Sequence, residues 1–400
     1  MVYFDIIPIY AHIRRRNGVS TLYKNGQIYV SDQKRFVCGS VAVDNGFITQ
    51  VFLNDDCVIG DFDETVELNG ARVAPGLIDA HTHGRDGGDF CLSDADSIRA
   101  MSDSYLNCGT TSVMATLASA PIDVFYEQID NIANVAQSGD SVYIGIHLEG
   151  RYLNPKKRGA HAKYLLAAPN AGEIKALINK MKQSGYVHVS AALELDADGN
   201  FTAAVLDQGA TLGLAHSDAT YAQGQIAFER GATALTHTYN AMSPFHHRDG
   251  GAVGAGLLTD GVYCELICDG FHVSPEAVRM AYALKGDKIV LVTDSMAGTN
   301  MPDGEYSIAG MGVVVKDGKA RTLEGAIAGS TLTLIDGVKN LASFACIRFE
   351  DALYCATASP AKMLGAYGEI GSIDHGKRAN MIILNEDNSV SGVIFRGVKI

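Results

Sequence analysis

Two histidines one residue apart, His81 and His83, close an apolar run from Val73 to Ala80 that holds a single acid, Asp79. Residues i and i+2 of a strand point to the same side, so both imidazoles can reach one ion. Gly84 then lets the chain leave the strand tightly. The pair alone reads equally well as two hydrogen-bonded core histidines, so the rest of the chain decides. Other apolar runs end in the same residue types: Ile144-Gly145-Ile146-His147-Leu148-Glu149, Leu214-Ala215-His216, Leu235-Thr236-His237 and Leu291-Val292-Thr293-Asp294. A buried carboxylate without a partner is costly. Imidazole and carboxylate together suit a hard or borderline divalent ion such as zinc. Such an ion lowers the pKa of bound water toward neutrality. An adjacent acid, here Asp294, can take the water's proton and return it to a leaving amine.

Six such groups need a frame that brings strand ends to one rim. From Val73 the pattern runs strand, then helix, repeatedly. Strands are expected at 73–80, 110–116, 142–148, 187–193, 210–215, 232–237, 262–268 and 289–293. Helices are expected at about 95–107, 122–137, 172–184, 201–208, 220–230 and 275–285, with two more near 331–345 and 350–357. Asp94 is a ready N-cap, and Ser274-Pro275 puts Pro at a first helical position. The alternation predicts an α/β fold, a (β/α)8 TIM-like barrel over 73–358 with its chemistry at the carboxyl ends of the strands. A Gly-rich loop at 295–330 reads as a lid or wall. Before Val73, short apolar segments flank Lys24-Asn25-Gly26-Gln27, Asp44-Asn45-Gly46-Phe47 and Leu68-Asn69-Gly70-Ala71, which are hairpin cues. The tail from Ile370 alternates again. Residues 1–72 and 359–400 are therefore expected to build one small β-sandwich-like domain from both chain ends.

Composition narrows the function. Apolar residues make up 47% of the chain and charged residues 19%, which describes a globular protein. A net charge of −13 argues against nucleic acid or an anionic membrane as partner, and an anionic substrate would need locally placed cations. The eight cysteines form no C-x-x-C pair and read as buried hydrophobes of a reducing cytoplasm. In residues 1–16 the basic cluster follows the apolar residues, the wrong order for a secretory signal, and no run is apolar enough to span a membrane.

More specific motifs accompany the ligands: His147-Leu148-Glu149-Gly150 with Leu153-Asn154-Pro155 and Gly159-Ala160-His161; His237-Thr238-Tyr239-Asn240-Ala241-Met242; Asp269-Gly270-Phe271-His272; and Ala328-Gly329-Ser330. From about Val73 to Ser330 the chain resembles the amidohydrolase superfamily and, within it, the N-acetylglucosamine-6-phosphate deacetylases. The resemblance implies Glu149, His216 and His237 as ligands of the required metal and Asp294 as general base and acid. It implies His161 as the imidazole that polarises the acetyl carbonyl. Ala160, Asn240, Ala241, Arg248 and His272 would hold the sugar phosphate, and Ile327, Ala328 and Gly329 would lie against the sugar. It also implies a homodimer in which Arg248 reaches the neighbouring subunit's substrate; a guanidinium fork suits phosphate. Without the resemblance Arg248 would read as a solvated loop cation, as Lys156-Lys157-Arg158 does. The sequence departs from the family at Arg151, commonly Pro, and at Ala191-Ala192-Leu193-Glu194, where Ala-Pro-Glu is usual. Some relatives lack the His81-x-His83 pair and bind one metal; its presence here allows a second. Two other readings compete. A dihydroorotase or cyclic-amide hydrolase would bridge its metals with a lysine on the fourth strand, where none stands. A non-catalytic scaffold would have lost a ligand or Asp294, and none is lost.

Overall fold

A computed structural model describes residues 18–54 and 58–400. The basic cluster of residues 1–16 and Cys57 lie outside the described residues. Eight parallel strands follow one another around a barrel: Leu77–Thr82, Thr110–Ala118, Tyr143–Glu149, Tyr186–Ala191, Thr211–Leu214, Ala234–Leu235, Tyr263–Leu266 and Ile289–Leu291. The seam between the eighth and first strands is closed differently at its two ends. Below the rim the Cys355 and Ala356 carbonyls intervene, accepting from the Leu291 and Ile78 amides. At the carboxyl rim the two strands bond directly, Asp294 N–H to the His81 carbonyl and His83 N–H to the Ser295 carbonyl, each at 2.8 Å. The rim that carries the ligands is thereby pinned by main-chain bonds.

The later strands are shorter than the apolar runs suggest. His216, His237 and Asp294 stand just past their strand ends with φ of 43°, 30° and 49°. The left-handed region is unfavourable for side chains with a Cβ. It swings these three residues off the strand direction at the rim.

Helices Ala95–Asn107, Ile122–Gln137 and Pro275–Lys285 occupy their expected ranges, with Asp94 and Ser274 accepting from the third amide beyond, as N-caps do. Helix Gly251–Leu258 has no counterpart in the sequence reading. It is apolar all round and fully buried through Leu257, so no amphipathic period marks it. Its small residues permit close approach to helix Tyr221–Glu229: a Cβ on Gly224 would lie 2.6 Å from that of Ala255. Helix Ala358–Met363 packs Ala361 and Met363 against Ile78, Ile144 and Val290 near the amino ends of the barrel strands. No helix among the described residues is long and apolar enough to cross a membrane.

Two expectations are corrected. Residues 295–330 are not a structureless loop: Gly304–Ile308, Met311–Lys316 and Lys319–Thr322 form a three-stranded antiparallel sheet. Two-residue turns at Ala309-Gly310 and Asp317-Gly318, with all four φ positive, join its strands. Nor does Asn25-Gly26 reverse the chain. Strand Thr21–Val30 runs straight through it with a register shift, because Glu64–Glu67 and Arg72–Pro75 lie end to end along one edge and their own Asn69-Gly70 jog faces the bulge. Asn45-Gly46 does make a hairpin. Strand Met381–Leu384 pairs with Arg72–Pro75, so both chain ends share one sheet.

Below the rim the barrel interior is a polar layer. His147 contacts Thr116 Oγ1 at 3.3 Å and Ser190 Oγ at 2.8 Å, and His188 contacts Thr211 Oγ1 at 2.8 Å. Burial pushes His188 down to about 4 and His147 well below the imidazole range. An unfolded imidazole takes its proton near pH 6.5. Between that pH and about 4 the unfolded chain therefore binds more protons than the folded one, so this stabilisation is complete above pH 6.5 and is lost as pH falls. His188 alone should cost about 2 kcal/mol by pH 5. Urea midpoints at pH 7 and pH 5 should show a shallower acid loss in His188→Gln than in the parent; identical losses would remove His188 from the account.

Candidate active site

The ligand candidates converge on Glu149, which ends the third strand and is 2% exposed. Its Oε1 lies 3.2 Å from His216 Nε2 and 2.9 Å from His237 Nε2. Its Oε2 lies 3.1 Å from His83 Nε2 and 3.4 Å from His81 Nε2. Asp294 Oδ1 is 3.2 Å from His83 Nε2. Two three-residue donor groups result, His81 with His83 and Asp294, and Glu149 with His216 and His237. One carboxylate thus touches both.

Several observations fit these groups to divalent cations. His216 and His237 aim their Nε2 atoms at each other across 3.1 Å, an arrangement that suits two lone pairs sharing a cation. His81 Nε2 is buried with no hydrogen-bond partner. Two of the far nitrogens are held: His216 Nδ1 by the Lys157 carbonyl at 2.7 Å and His81 Nδ1 by Glu265 Oε2 at 3.1 Å. A proton fixed on Nδ1 leaves Nε2 as the ligand atom. The charges agree. Burial opposes charge on His81 and His83, yet Glu149 and Asp294 push His81 well above the imidazole range and His83 up to about 9. Burial raises Asp294, but His81 and His83 pull it down to about 2, and the surrounding rings hold Glu149 well below the carboxylate range against its burial. The carboxylates therefore hold protons on rings where a divalent cation would supply the same positive charge.

His161 stands 3.7 Å from Glu149 Oε2. Its Nδ1 meets Ser119 Oγ at 2.9 Å and accepts from the Ser119 amide at 3.3 Å, which leaves the ring proton on Nε2, toward the cavity. Burial, with the His216 ring nearby, pushes His161 down to about 3, so it stays a neutral donor across the physiological range.

A cavity of about 390 Å3 opens over these groups. A model of the amidohydrolase family matches residues 72–400.

This chain belongs to the amidohydrolase family.

Among relatives of this amidohydrolase, the N-acetylglucosamine-6-phosphate deacetylase of Vibrio furnissii is 35% identical over 338 residues, covering 84% of each chain. The N-acetylgalactosamine-6-phosphate deacetylase of Escherichia coli O157:H7 is 33% identical, covering 83% of this chain and 88% of that one. The N-acetylglucosamine-6-phosphate deacetylase of Pasteurella multocida superposes with a TM-score of 0.87 at 29% identity, covering 95% of this chain and 99% of the other.

The cavity of the amidohydrolase gathers residues that the sequence scatters. Ala160, His161, Asn240, Ala241, His272, Ile327, Ala328 and Gly329 line it together with His83, Glu149, His216, His237 and Asp294. His81 lies beneath, against Glu149. Gly329 needs its φ of +67° and its missing side chain, since a Cβ would lie 3.0 Å from the Asp294 carbonyl, which accepts from Ser330 N–H. His272 holds Asp269 Oδ2 through Nδ1 at 2.6 Å. Arg248 is not among the lining residues. It is exposed on the loop after Phe245 and contacts His247.

Lys156 and Lys157, which the sequence presents as a solvated run, stand in the cavity wall and pair with Asp218. Arg151 turns away to Glu173, and its φ of 44° is one that proline, fixed near −65°, does not reach. Glu194 accepts from Asn154 Nδ2, Ser217 Oγ and the Asp218 amide, bracing the loops beside His216. Glu265, absent from the sequence reading, is fully buried and accepts from both His81 Nδ1 and the His237 amide. A single acid inside the apolar strand Tyr263–Leu266 was its visible signal.

Proposed function

We propose that this amidohydrolase removes the acetyl group from N-acetylglucosamine 6-phosphate, giving glucosamine 6-phosphate and acetate. The observation that carries the reading is the meeting of a neutral Nε2–H donor, His161, with an ionised Asp294 across two cation-binding groups in one cavity. The deacetylase relatives support the substrate class. A divalent ion, zinc or iron, would be held by Glu149, His216 and His237, with room for a second at His81, His83 and Asp294, and would supply Lewis acidity and a water acidic enough to attack near neutral pH.

The chain's own residues do the rest. His161 Nε2–H donates to the acetyl oxygen and strengthens its bond as negative charge builds there. Asp294 Oδ1 faces His83 and the second cation position, which leaves Oδ2 to take the attacking water's proton and deliver it to the departing amide nitrogen. His272, its Nδ1 committed to Asp269, turns Nε2 to the sugar phosphate, with Asn240, Ala241 and Ala160 beside it. Ile327, Ala328 and Gly329 form the wall against the sugar.

As the likeness to the deacetylases implies, Arg248 serves the neighbouring active site in a homodimer, a role that its exposed place outside its own cavity leaves open to it. Arg248→Ala should raise KM for the phosphorylated substrate by about tenfold to a hundredfold, the worth of about 1.5–3 kcal/mol for a charged hydrogen bond. It should change KM for unphosphorylated N-acetylglucosamine little; equal effects on both would exclude a phosphate role. Mixing Arg248→Ala with inactive Asp294→Asn should recover activity through mixed dimers.

The E. coli relative that acts on the galactose epimer is a specific reason to test a second substrate. Acetate release from both N-acetylhexosamine 6-phosphates, with and without chelator, tests the reading; release from neither by the metal-loaded protein would end it.

A further inference from the structure

A second, smaller cavity opens beside His161. Its walls include Ala118, Ala162, Leu165 and Met311, and it shares His83, Ala160, His161 and Ile308 with the larger cavity. Of these, His83 and His161 are the groups at which the amide would react. An amide carbon carries an oxygen and two further substituents. With the oxygen at His161 and the amino sugar in the larger cavity, the remaining carbon chain is directed into the smaller one. Ser119 also borders this space, but its amide and hydroxyl are turned to His161 Nδ1, so the surface left for a ligand is largely carbon.

We infer that this side pocket is the acyl subsite, and that it admits N-acetyl and N-propionyl groups while excluding N-butyryl. The inference rests on the amino-sugar reading above. The pocket offers about 30 Å3. A water-sized group needs roughly 10–15 Å3 by the same measure. The space therefore suits a methyl group and one methylene. Ile308 and Met311 flank the Ala309-Gly310 turn, so the tip of one hairpin sets the depth on that side. Leu165, at the end of the short turn Lys163–Leu165, sets it on the other. An apolar pocket discriminates by about 10–200-fold per methylene that it cannot hold.

The test is kcat/KM of the zinc-loaded enzyme for N-acetyl-, N-propionyl- and N-butyryl-glucosamine 6-phosphate. The expected ranking has propionyl within about tenfold of acetyl and butyryl lower by a further factor of about ten or more. Met311→Ala and, on the opposite wall, Leu165→Ala should each raise the butyryl-to-acetyl ratio by about tenfold. Butyryl accepted as well as propionyl by the parent, or an unchanged ratio in both variants, overturns the subsite. Absence of acetyl turnover by the loaded parent overturns the amino-sugar reading and the subsite with it, whereas normal acetyl turnover with the wrong acyl ranking overturns the subsite alone.

Discussion

Asp294→Asn should fold as the parent does, retain the ion at Glu149, His216 and His237, and lose kcat by about 10^3-fold or more. The amide keeps the size and the left-handed turn of the position, since Asn tolerates positive φ as Asp does. The change removes a carboxylate that His81 and His83 hold at about 2, and hence a base that is ionised throughout the working range. It also removes the group that returns a proton to the amine, so both halves of the reaction suffer. KM should move far less than kcat. Turnover near the parent's would withdraw Asp294 from the proton path.

Glu149→Gln should strip the site of metal more completely than the paired change His81→Ala with His83→Ala. The reason is contact: each Glu149 oxygen faces a different pair of imidazoles. Breaking a buried charge pair by removing one partner costs about 3–5 kcal/mol, which is roughly 10^2- to 10^4-fold in affinity. Metal analysis after equilibration with buffered zinc should give close to no ion for Glu149→Gln and one ion fewer than the parent for the double histidine variant. A parent that never exceeds one ion per chain would leave His81 and His83 outside the working site. Full activity in the double variant would make them spectators.

What the sequence discloses follows from how each feature is encoded. Glu149, His216, His237 and Asp294 each end an apolar run, and a polar ligand after a buried strand is conspicuous. The helices with N-caps and amphipathic faces are equally plain, as Asp94 and Ser274 illustrate. Gly251–Leu258 is hidden because apolar residues surround its axis and leave no period to detect. The sheet from Gly304 to Thr322 is hidden because a glycine count suggests a loop, although Asp317-Gly318 is a hairpin signal of the kind recognised at Asn45-Gly46. At Asn25-Gly26 that same signal marks a bulge instead, because the neighbouring edge, not the dipeptide, decides whether the chain reverses. Lys157 reads as solvated from its neighbours in sequence and becomes a wall of the cavity only through the loop that carries its carbonyl to His216. Glu265 supports two ligands from a strand whose end carries no ligand, a relation that only the closed barrel creates.

The most direct test is stoichiometric acetate release from N-acetylglucosamine 6-phosphate, followed through removal and return of metal. Chelated protein should release none, and loading with zinc or iron should restore release of one acetate per amine formed, at a rate that Asp294→Asn does not approach. Release unaffected by complete metal removal, or none from fully loaded protein with either hexosamine epimer, would contradict the account.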